Sequence, residues 1–394
     1  MKNCSIAVFC SLALASAVVR GAEFVHWLAV SFDGYEGGET LTDFPALVKL
    51  SNAIEGFDYA GFKQENGGDL RFFDASGTLL AHEIDTWDTN GVSSVWVKVP
   101  SFNAQTTITA KYGSDNPPDA PAASNVWANG YLGVWHLNED SSPLADATGG
   151  GMSWTRSSSH ENMVSLGTAG LLGNAPEFAM LAETSGNETV HNGHLTFKDN
   201  GNKFIGQAMT FEMWTYQRED RATNRRLLYK KDKDLAFDFN LQYSSSSARS
   251  TLTFNFVATN MLDNVSLVTN AVRVRYKEEG IGVWRHYATV YDSVGMHRLL
   301  AYVNGANSGS TDDSVAVNPG YCIVPSGGTV YLGNLSSKRA FPGRIDEVRI
   351  SNVARSQDWV NATYDTIMDP ADNTGFARYS GAVDNIDATV LFFR

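Results

Sequence analysis

Short runs of strand length, separated by Gly, Asn and Asp, recur along most of the sequence and limit the fold more than any other feature. The runs are rich in β-branched and aromatic residues, and several alternate between apolar and polar side chains. In residues 94–99, for example, three valines face one side while Trp96 and Lys98 face the other. One helix is predicted, over 356–367, where Ser356 is a suitable N-cap. This pattern predicts an all-β chain of antiparallel sheets.

Prolines divide the strand pattern into two parts. Three of the 11 prolines fall within residues 114–125, where the composition is typical of an extended linker. The runs before it, in 24–113, and those after it, in 130–366, are each sufficient for a sandwich with its own core. We therefore predict two antiparallel β-sandwich domains of the jelly-roll type joined by a Pro-rich linker, with residues 367–394 as a C-terminal tail.

The N-terminal residues have the layout of a secretory signal peptide. Lys2 precedes an apolar stretch over 6–19, and small residues offer two cleavage points, after Ala17 or after Gly21. A membrane anchor is the alternative, but the apolar stretch is shorter than the roughly 20 residues that span a bilayer. We expect residues 1–21 to be removed and the protein to be secreted, periplasmic or located at the cell surface.

The chain is acidic, with a formal net charge of -13 at pH 7. Such a surface repels nucleic acid and anionic membranes, so we expect neither as a partner. After the leader, no segment of the sequence is apolar enough to predict a transmembrane span. Cys322 is the one thiol outside the leader, which excludes an intramolecular disulfide in the mature chain.

Ordered motifs in the second part of the chain resemble a known fold family. On these motifs the second domain resembles the laminin-G-like branch of the concanavalin A-like lectin/glucanase fold, over roughly residues 130–364. The resemblance implies a two-sheet jelly roll that serves carbohydrate binding or glycoside cleavage in its relatives. The motifs lie at 133–140, 146–149, 209–214, 284–292, 302–305, 331–334 and 341–350.

The first domain resembles an uncharacterised β-rich family that often precedes laminin-G-like domains in secreted bacterial proteins. That family has no established chemistry, so the resemblance implies architecture and an exported setting but no mechanism. Within this domain, charged and apolar residues alternate over 69–71 and over 83–85, and either segment could place a carboxylate beside Arg71, which we interpret as a structural ion pair. The motifs lie at 44–48, 69–74, 82–87, 95–100 and 111–113.

Catalysis on this fold is usually glycoside cleavage by two carboxylates. Glycanases of the fold resemble one another in a Glu-Ile-Asp-x-x-Glu strand, whereas the nearest segment here has Arg344 and Arg349 at the two glutamate positions. We therefore predict a secreted, non-catalytic protein that binds a glycan or cell-surface polymer through the laminin-G-like domain. Two alternatives stay open: a polysaccharide-processing enzyme with an unrecognised carboxylate pair, and a structural or adhesive component of an envelope assembly.

Exposed tryptophans are the candidate ligand-binding residues, because flat aromatic rings stack on the faces of sugars. Most of the nine tryptophans lie in predicted strands or in the helix and are expected in the core. Trp127 and Trp154 lie in apparent loops, so we expect these two to contact the ligand.

Acidic residues at both ends of the second domain indicate a possible metal site. Calcium takes about six to eight oxygen ligands, and Glu139, Asp140 and Asp146 would approach Asp346 if the first and last strands are neighbours. The resemblance implies that relatives often bind calcium through the aspartate of the closing Gly-x-Ile-Asp-Glu motif, here Asp346. We expect a structural calcium ion at these four residues. The alternative is that Asp346 accepts hydrogen bonds from backbone amides at the seam of the domain.

Overall fold

The computed structural model describes residues 23–380, apart from 157–162, 180–192, 200–202, 219–224, 232–234, 245–248, 261–266, 278–280, 308–313, 324–327, 334–340 and 373. The expected leader, 1–21, and residues 381–394 of the expected tail lie outside the described residues. Within the described part of the chain, no helix has the length and apolar character needed to cross a membrane.

The first sandwich consists of a five-stranded and a three-stranded antiparallel sheet. Short 3-10 helices accompany them at Tyr59–Gly61, Glu65–Gly67 and Ala123–Trp127. The five-stranded sheet contains, from edge to edge, β24 (Arg378–Ser380), β1 (His26–Ser31), β7 (Thr107–Tyr112), β3 (Arg71–Phe73) and β4 (Leu79–Leu80). The three-stranded sheet contains, in order, β2 (Leu41–Ser51), β6 (Val92–Phe102) and β5 (His82–Thr86).

The second sandwich consists of two sheets with eight described strands each. One sheet contains, in order, β10 (Val164–Ala169), β11 (Asn174–Phe178), β23 (Gly343–Ser351), β13 (Ala208–Gln217), β18 (Trp284–Asp292), β19 (Arg298–Val303) and β20 (Ser314–Ala316), and β8 (Tyr131–Trp135) also pairs with β23. The other contains, in order, β17 (Leu267–Lys277), β16 (Arg249–Asn260), β15 (Leu235–Ser244), β14 (Arg225–Lys231), β22 (Thr329–Leu332), β12 (Leu195–Lys198) and β9 (Thr155–Arg156), and β21 (Tyr321–Ile323) also pairs with β16.

Aromatic side chains fill the space between the two sheets of the second sandwich. The ring centroids of Phe211 and Phe254 are 5.1 Å apart, and those of Phe256 and Tyr291 are 4.6 Å apart. Strands β8 and β23, the first and last of this sandwich, are neighbours, as the sequence predicted. The predicted all-β class with antiparallel sandwiches is confirmed.

The predicted helix is α1 (Gln357–Met368), and the Ser356 hydroxyl accepts a hydrogen bond from the Trp359 amide at 3.2 Å. Trp359 packs edge to face on Phe44 of β2, with ring centroids 5.0 Å apart. The next residue, Val360, faces another direction and lies in a small buried cluster with Val290 of β18. Helix α1 therefore lies between the two sandwiches and contributes to the burial of both.

The C-terminal residues return to the first sandwich. Strand β24 pairs with β1, and the buried Tyr379 accepts a hydrogen bond from the Lys49 amide at 3.1 Å. Phe376 also lies in the core of this sandwich, so part of the segment that we expected to be a tail completes the first domain. The proposed linker is anchored as well, since the Arg71 side chain donates to the Pro118 carbonyl at 2.6 Å. The boundaries of the two domains stay a prediction.

Candidate functional site

An aromatic residue with a cationic neighbour lies on the outward face of the five-stranded sheet. Trp27 of β1 is 40% exposed, the most exposed tryptophan of the chain. It lies directly opposite Lys111 of β7, whose ammonium is 5.4 Å from the Trp27 ring centroid and 4.6 Å from that of Phe73. Because residues paired across strands share a face, these three side chains form one surface, which we call the open face.

The rest of the open face is small and polar. Ala29, Ser31, Thr107 and Thr109 lie on the same side of β1 and β7, and none of the four is buried. With about 3.3 Å per residue, β7 spans roughly 13 Å between Thr107 and Lys111. A ligand with several flat, hydroxyl-rich units would find an aromatic ring at one end of this surface and hydroxyl groups along it.

A groove of about 430 Å³ opens at the Thr107 end of the same sheet. Asp74, which follows Phe73 of the open face, lines this groove, and hydrogen bonds from Ser76 and Thr78 lower the pKa of its carboxyl group. The volume is within the range of small-molecule sites. The groove therefore extends the open face with polar side chains, among them Ser76, Ser101, Asn103, Gln105 and Thr106.

The expectation that Trp127 and Trp154 are exposed is wrong. Trp154 is fully buried in the second core, where it packs on Trp135 and Phe197. Trp127 is 1% exposed, and its indole N–H donates to the Glu83 carboxylate. Neither ring can stack on a sugar, because the segments that contain them fold inward against the sheets. The sequence indicates that both lie outside the long strands but not which way they point.

Trp27 was expected in the core, together with the other tryptophans of predicted strands. The alternation of side chains along β1 could have identified Trp27 as an outward-facing residue. Leu28 and Val30 form the apolar side of this strand, while Ala29 and Ser31 share the other side with Trp27. A tryptophan on the small, polar side of a strand is the pattern expected for an outward-facing ring.

A second group of functional side chains is buried where β5 of the first sandwich meets β8 and β23 of the second. We call Glu83, Asp85, His136, Glu347 and Arg349 the seam cluster. His136 Nδ1 is 2.8 Å from Glu347 Oε1, and His136 Nε2 is 3.4 Å from Glu83 Oε2. Arg349 Nη2 donates to Glu347 Oε2 at 2.6 Å. The cluster therefore joins carboxylates of both sandwiches through one imidazole and one guanidinium.

The backbone of β23 explains how two consecutive acidic residues leave the core side of a strand. The register of β23 against β13 shifts between Asp346 and Arg349, and Glu347 has a φ of 50° in this bulge. Ile345 and Val348 on either side remain in the second core. The bulge breaks the alternation of side chains along β23. The carboxylate of Glu347 therefore reaches His136, while that of Asp346 accepts a hydrogen bond from the Leu171 amide.

Burial and neighbouring charges shift the proton affinities of the seam cluster. Burial raises the pKa of Asp85 to about 7, against the opposing charge of His136. Burial disfavours the imidazolium of His136, but the carboxylates of Glu347 and Asp85 outweigh it and raise the pKa of His136 well above its usual value. Burial also disfavours the Glu347 carboxylate, yet His136 and Arg349 lower its pKa. The imidazolium and carboxylate forms therefore stabilise one another.

The predicted calcium ligands do not form one group among the described residues. Asp346 is fully buried, and its carboxylate accepts hydrogen bonds from the amides of Leu171, Leu172 and Glu347, as the alternative interpretation proposed. The other three predicted ligands have separate surroundings. Asp146 accepts from the Val134 amide of β8 and from amides and a hydroxyl of its own loop. Glu139 accepts from the Ala145 amide, and Asp140 is exposed.

The described residues do bring together another set of metal-ligating side chains. One ligand atom each of Asp85, His136 and Glu347 lies within 4.8 Å of the others. The alternation over 83–85 in the sequence places two carboxylates on one side of β5, but we had interpreted it as an ion pair with Arg71. The Arg71 guanidinium instead donates to backbone carbonyls. Glu83 and Asp85 lie near His136 at the seam.

The two arginines at the glycanase positions have structural partners. Arg344 pairs with Glu177 at 3.1 Å on the neighbouring strand β11, and Arg349 pairs with Glu347 inside the seam cluster. Glu212 of β13 is 2% exposed, and its carboxylate lies 3.6 Å from the imidazole of His286. Glu177 and Glu347 therefore form ion pairs with neighbouring arginines.

Residues 187–361 match the laminin-G-like model of the concanavalin A-like lectin/glucanases superfamily. Residues 66–155 match a domain of unknown function, DUF2341, and this match extends past the expected linker to β8 and β9. The chain therefore carries a concanavalin A-like lectin/glucanase domain that follows an uncharacterised domain, as the resemblance implied. No match was found among curated proteins.

Several solved structures are similar to the chain at low sequence identity. Domain 4 of AbnA, an extracellular arabinanase from Geobacillus stearothermophilus solved with arabinotriose, is 15% identical, with 59% of this chain and 97% of that chain covered and a TM-score of 0.41. A heptameric SAP-like pentraxin from Limulus polyphemus is 18% identical, with 43% and 73% covered and a TM-score of 0.33. The binding domain of botulinum neurotoxin serotype D is 11% identical, with 60% and 51% covered and a TM-score of 0.41.

Proposed function

We propose that this chain is an exported, non-catalytic protein that binds a glycan or a glycan-like surface polymer. The observation that carries the proposal is the open face, where Trp27 exposes its ring beside Lys111 and Phe73 on a face that also carries Ser31, Thr107 and Thr109. Aromatic rings flanked by hydrogen-bonding groups suit the mixed apolar and hydroxyl surface of sugars. The family match to lectins and glucanases agrees with a carbohydrate-related role.

The proposal moves the binding surface away from the second domain, where we had expected it. The tryptophans chosen on sequence grounds are buried, and the outward face of β13 and β23 is covered by α1 and the first sandwich. The open face and its adjoining groove both belong to the first sandwich. The second domain then supports the binding domain through the seam and the helix.

Burial of the clustered carboxylates supports the non-catalytic part of the proposal. A glycosidase needs two carboxyl groups that reach the scissile bond from a cleft. Asp85, Glu347 and Asp346 have no exposed surface to offer a polysaccharide, and Glu347 is held by Arg349 and His136. The signal-peptide layout of residues 1–21 supports export.

A glycan array probed with the mature protein, with and without calcium, tests the proposal directly. We expect binding to a subset of polysaccharides, and Trp27→Ala should weaken it at least tenfold, which corresponds to about 1.4 kcal/mol of lost stacking. Trp27→Phe should keep most of the affinity, because it retains a flat ring.

Val92→Ala is the matched control, because Val92 is 43% exposed on the other sheet of the same sandwich. If Val92→Ala weakens glycan binding as much as Trp27→Ala does, the ligand does not bind at the open face. No binding to any glycan, or sustained hydrolysis of laminarin, agar or xylan by the purified protein, would contradict the proposal and favour one of the two alternative functions.

The structural calcium ion is a separate proposal. If calcium binds at Asp346, millimolar calcium should raise the melting temperature, and Asp346→Ala should abolish the rise. Identical melting of chelator-treated and calcium-loaded protein would leave Asp346 with the hydrogen-bonding role seen in its contacts with Leu171 and Leu172.

A further inference from the structure

Three potential ligand atoms converge within the seam cluster, one from the first sandwich and two from the second. One ligand atom each of Asp85, His136 and Glu347 lies within 4.8 Å of the others. His136 Nδ1 is 2.8 Å from the Glu347 atom and 4.0 Å from the Asp85 atom. We propose that these three side chains hold a divalent metal ion of the zinc class, which links the two sandwiches at the seam.

The Asp85 carboxylate points to a missing ligand at this place. Its side chain has no exposed surface, and one oxygen, Oδ1, accepts a hydrogen bond from Asn138. The other oxygen, Oδ2, is buried near His136, and neither this oxygen nor the indole N–H of the neighbouring Trp96 makes a hydrogen bond of ordinary geometry among the described residues. A buried, unsatisfied carboxylate oxygen is costly, and a cation between Asp85 and Glu347 would satisfy it.

The remaining polar atoms of the three side chains are each held by a different neighbour. Glu347 Oε2 accepts from Arg349, which leaves Oε1 directed to the centre of the cluster. His136 Nε2 lies 3.4 Å from the Glu83 carboxylate, which leaves Nδ1 as the metal-facing nitrogen. A carboxylate behind the second nitrogen of a ligating histidine is the arrangement that orients imidazoles in metal sites.

The geometry suits a small ion with mixed nitrogen and oxygen ligands. Zinc binds imidazole and carboxylate at about 2.0 to 2.2 Å, so tetrahedral ligand atoms lie roughly 3.3 to 3.5 Å apart. That separation falls between the 2.8 Å and 4.0 Å that join His136 to its two carboxylates here. Calcium and magnesium prefer oxygen ligands alone, so the imidazole favours a zinc-class metal.

The charges of the seam cluster also favour a divalent cation. Glu83, Asp85 and Glu347 supply three carboxylates, against the guanidinium of Arg349 and the imidazole of His136. A divalent ion that displaces the imidazole proton would make the five side chains and the metal neutral together. Solvent reaches the cluster on one side, since Glu83 and His136 are 17% and 9% exposed, which gives the ion a path of entry.

Zinc titration of the full mature chain tests the proposal. Chelator-treated protein is loaded with zinc alone and desalted, and the bound metal is measured by elemental analysis beside the melting temperature. We expect one zinc ion per chain and a higher melting temperature. Asp85→Asn should lose the zinc and its stabilisation, while Glu83→Gln should weaken binding about 10- to 100-fold.

Asp88→Asn is the matched control, because Asp88 is an exposed aspartate just after β5 and outside the cluster. It should retain one zinc ion per chain. The metal-free Asp85→Asn protein should still melt cooperatively, which separates a lost site from a lost fold. Failure of the wild-type chain to retain zinc, or equal retention by wild type and Asp85→Asn, would overturn the proposal.

Discussion

The outward faces of two sheets, one in each sandwich, have opposite environments. On β1 and β7 of the first sandwich, Trp27 and Lys111 face solvent. On β13 and β18 of the second, Trp214 and His286 are buried beneath α1, with the rings of Trp214 and Tyr364 stacked 5.4 Å apart. One face is therefore available to a ligand, while the other is an internal contact of the same chain.

The difference shows what strand alternation can and cannot reveal. In both sheets the inward side chains are apolar, and the outward ones mix aromatic and polar residues. Alternation identifies the two sides of a strand, but it does not show whether another part of the chain covers the outward side. Trp27 and Trp214 occupy equivalent positions in this respect, and they differ because α1 and the first sandwich cover Trp214.

Removal of the Trp359 ring should have the largest effect, because it detaches the helix from the first sandwich. Trp359 is 4% exposed and packs on Phe44, and the Arg355 guanidinium lies 3.9 Å from its ring centroid. Trp359→Ala should lower the free energy of unfolding by about 3 to 5 kcal/mol, measured by denaturant titration.

Met368→Ala on the same helix is the control, because Met368 is 46% exposed. It should change the free energy of unfolding by less than about 0.5 kcal/mol. If both variants lower the free energy of unfolding equally, the packing of Trp359 does not hold α1 against the first sandwich.

The second prediction concerns pH and the two sides of β5. His82 packs on Phe72 inside the first sandwich, where burial and the Arg71 charge lower its pKa to about 4. In the unfolded chain the His82 imidazole binds a proton near pH 6.5, whereas in the folded chain it stays neutral down to about pH 4. The free energy of unfolding should therefore fall as the pH drops from about 6.5 toward 4. At pH 5 the loss from His82 should be about 2 kcal/mol.

The measurement is the difference in unfolding free energy between pH 7 and pH 5, for the wild type and for His82→Gln. The variant should lose less stability over this interval, whatever its stability at pH 7. An unchanged difference would show that His82 remains accessible to protons in the folded chain, and that β5 is not buried on its core side.

The sequence was sufficient to predict the fold class, helix α1 and its N-cap at Ser356, because these depend on local pattern. It was not sufficient for the contacts between elements distant in sequence. Trp127 was assigned to a loop, but its direction is set by Glu83 and Trp96, which belong to the first sandwich. The seam cluster likewise joins Asp85 to Glu347 across the whole second domain, a juxtaposition that no local spacing encodes.

The third prediction tests how the helix protects an edge strand. Strand β2 lies at the edge of its sheet, and the buried Thr366 hydroxyl accepts from the Leu47 amide at 2.9 Å and donates to the Leu47 carbonyl. Thr366→Val keeps the shape but leaves both groups unsatisfied, which should cost about 1 to 2 kcal/mol. Thr363→Val is the control, because that hydroxyl bonds the Trp359 carbonyl of its own helix.

If the two variants lose the same free energy of unfolding, the contact of Thr366 with β2 contributes no more than the hydrogen bond that Thr363 makes within its own helix. Amide hydrogen exchange at Leu47 offers an independent measurement. Exchange there should become faster in Thr366→Val than in Thr363→Val, since the first variant removes the acceptor of the Leu47 amide.

The smallest effect on the free energy of unfolding should come from replacement of Trp27 on the open face. Trp27 is 40% exposed, and its principal neighbour is the Lys111 ammonium, a cation–π contact worth about 0.5 to 1 kcal/mol at exposed sites. Trp27→Ala should therefore lower the free energy of unfolding by no more than about 1 kcal/mol in the absence of ligand. At a saturating glycan concentration, the same substitution should lower the stabilisation that the glycan confers by at least about 1.4 kcal/mol, because this stabilisation rises with the logarithm of the affinity and the affinity falls at least tenfold. If Trp27→Ala instead destabilises the chain as much as Trp359→Ala, the ring supports the fold, and the open face is not a surface kept free for a ligand.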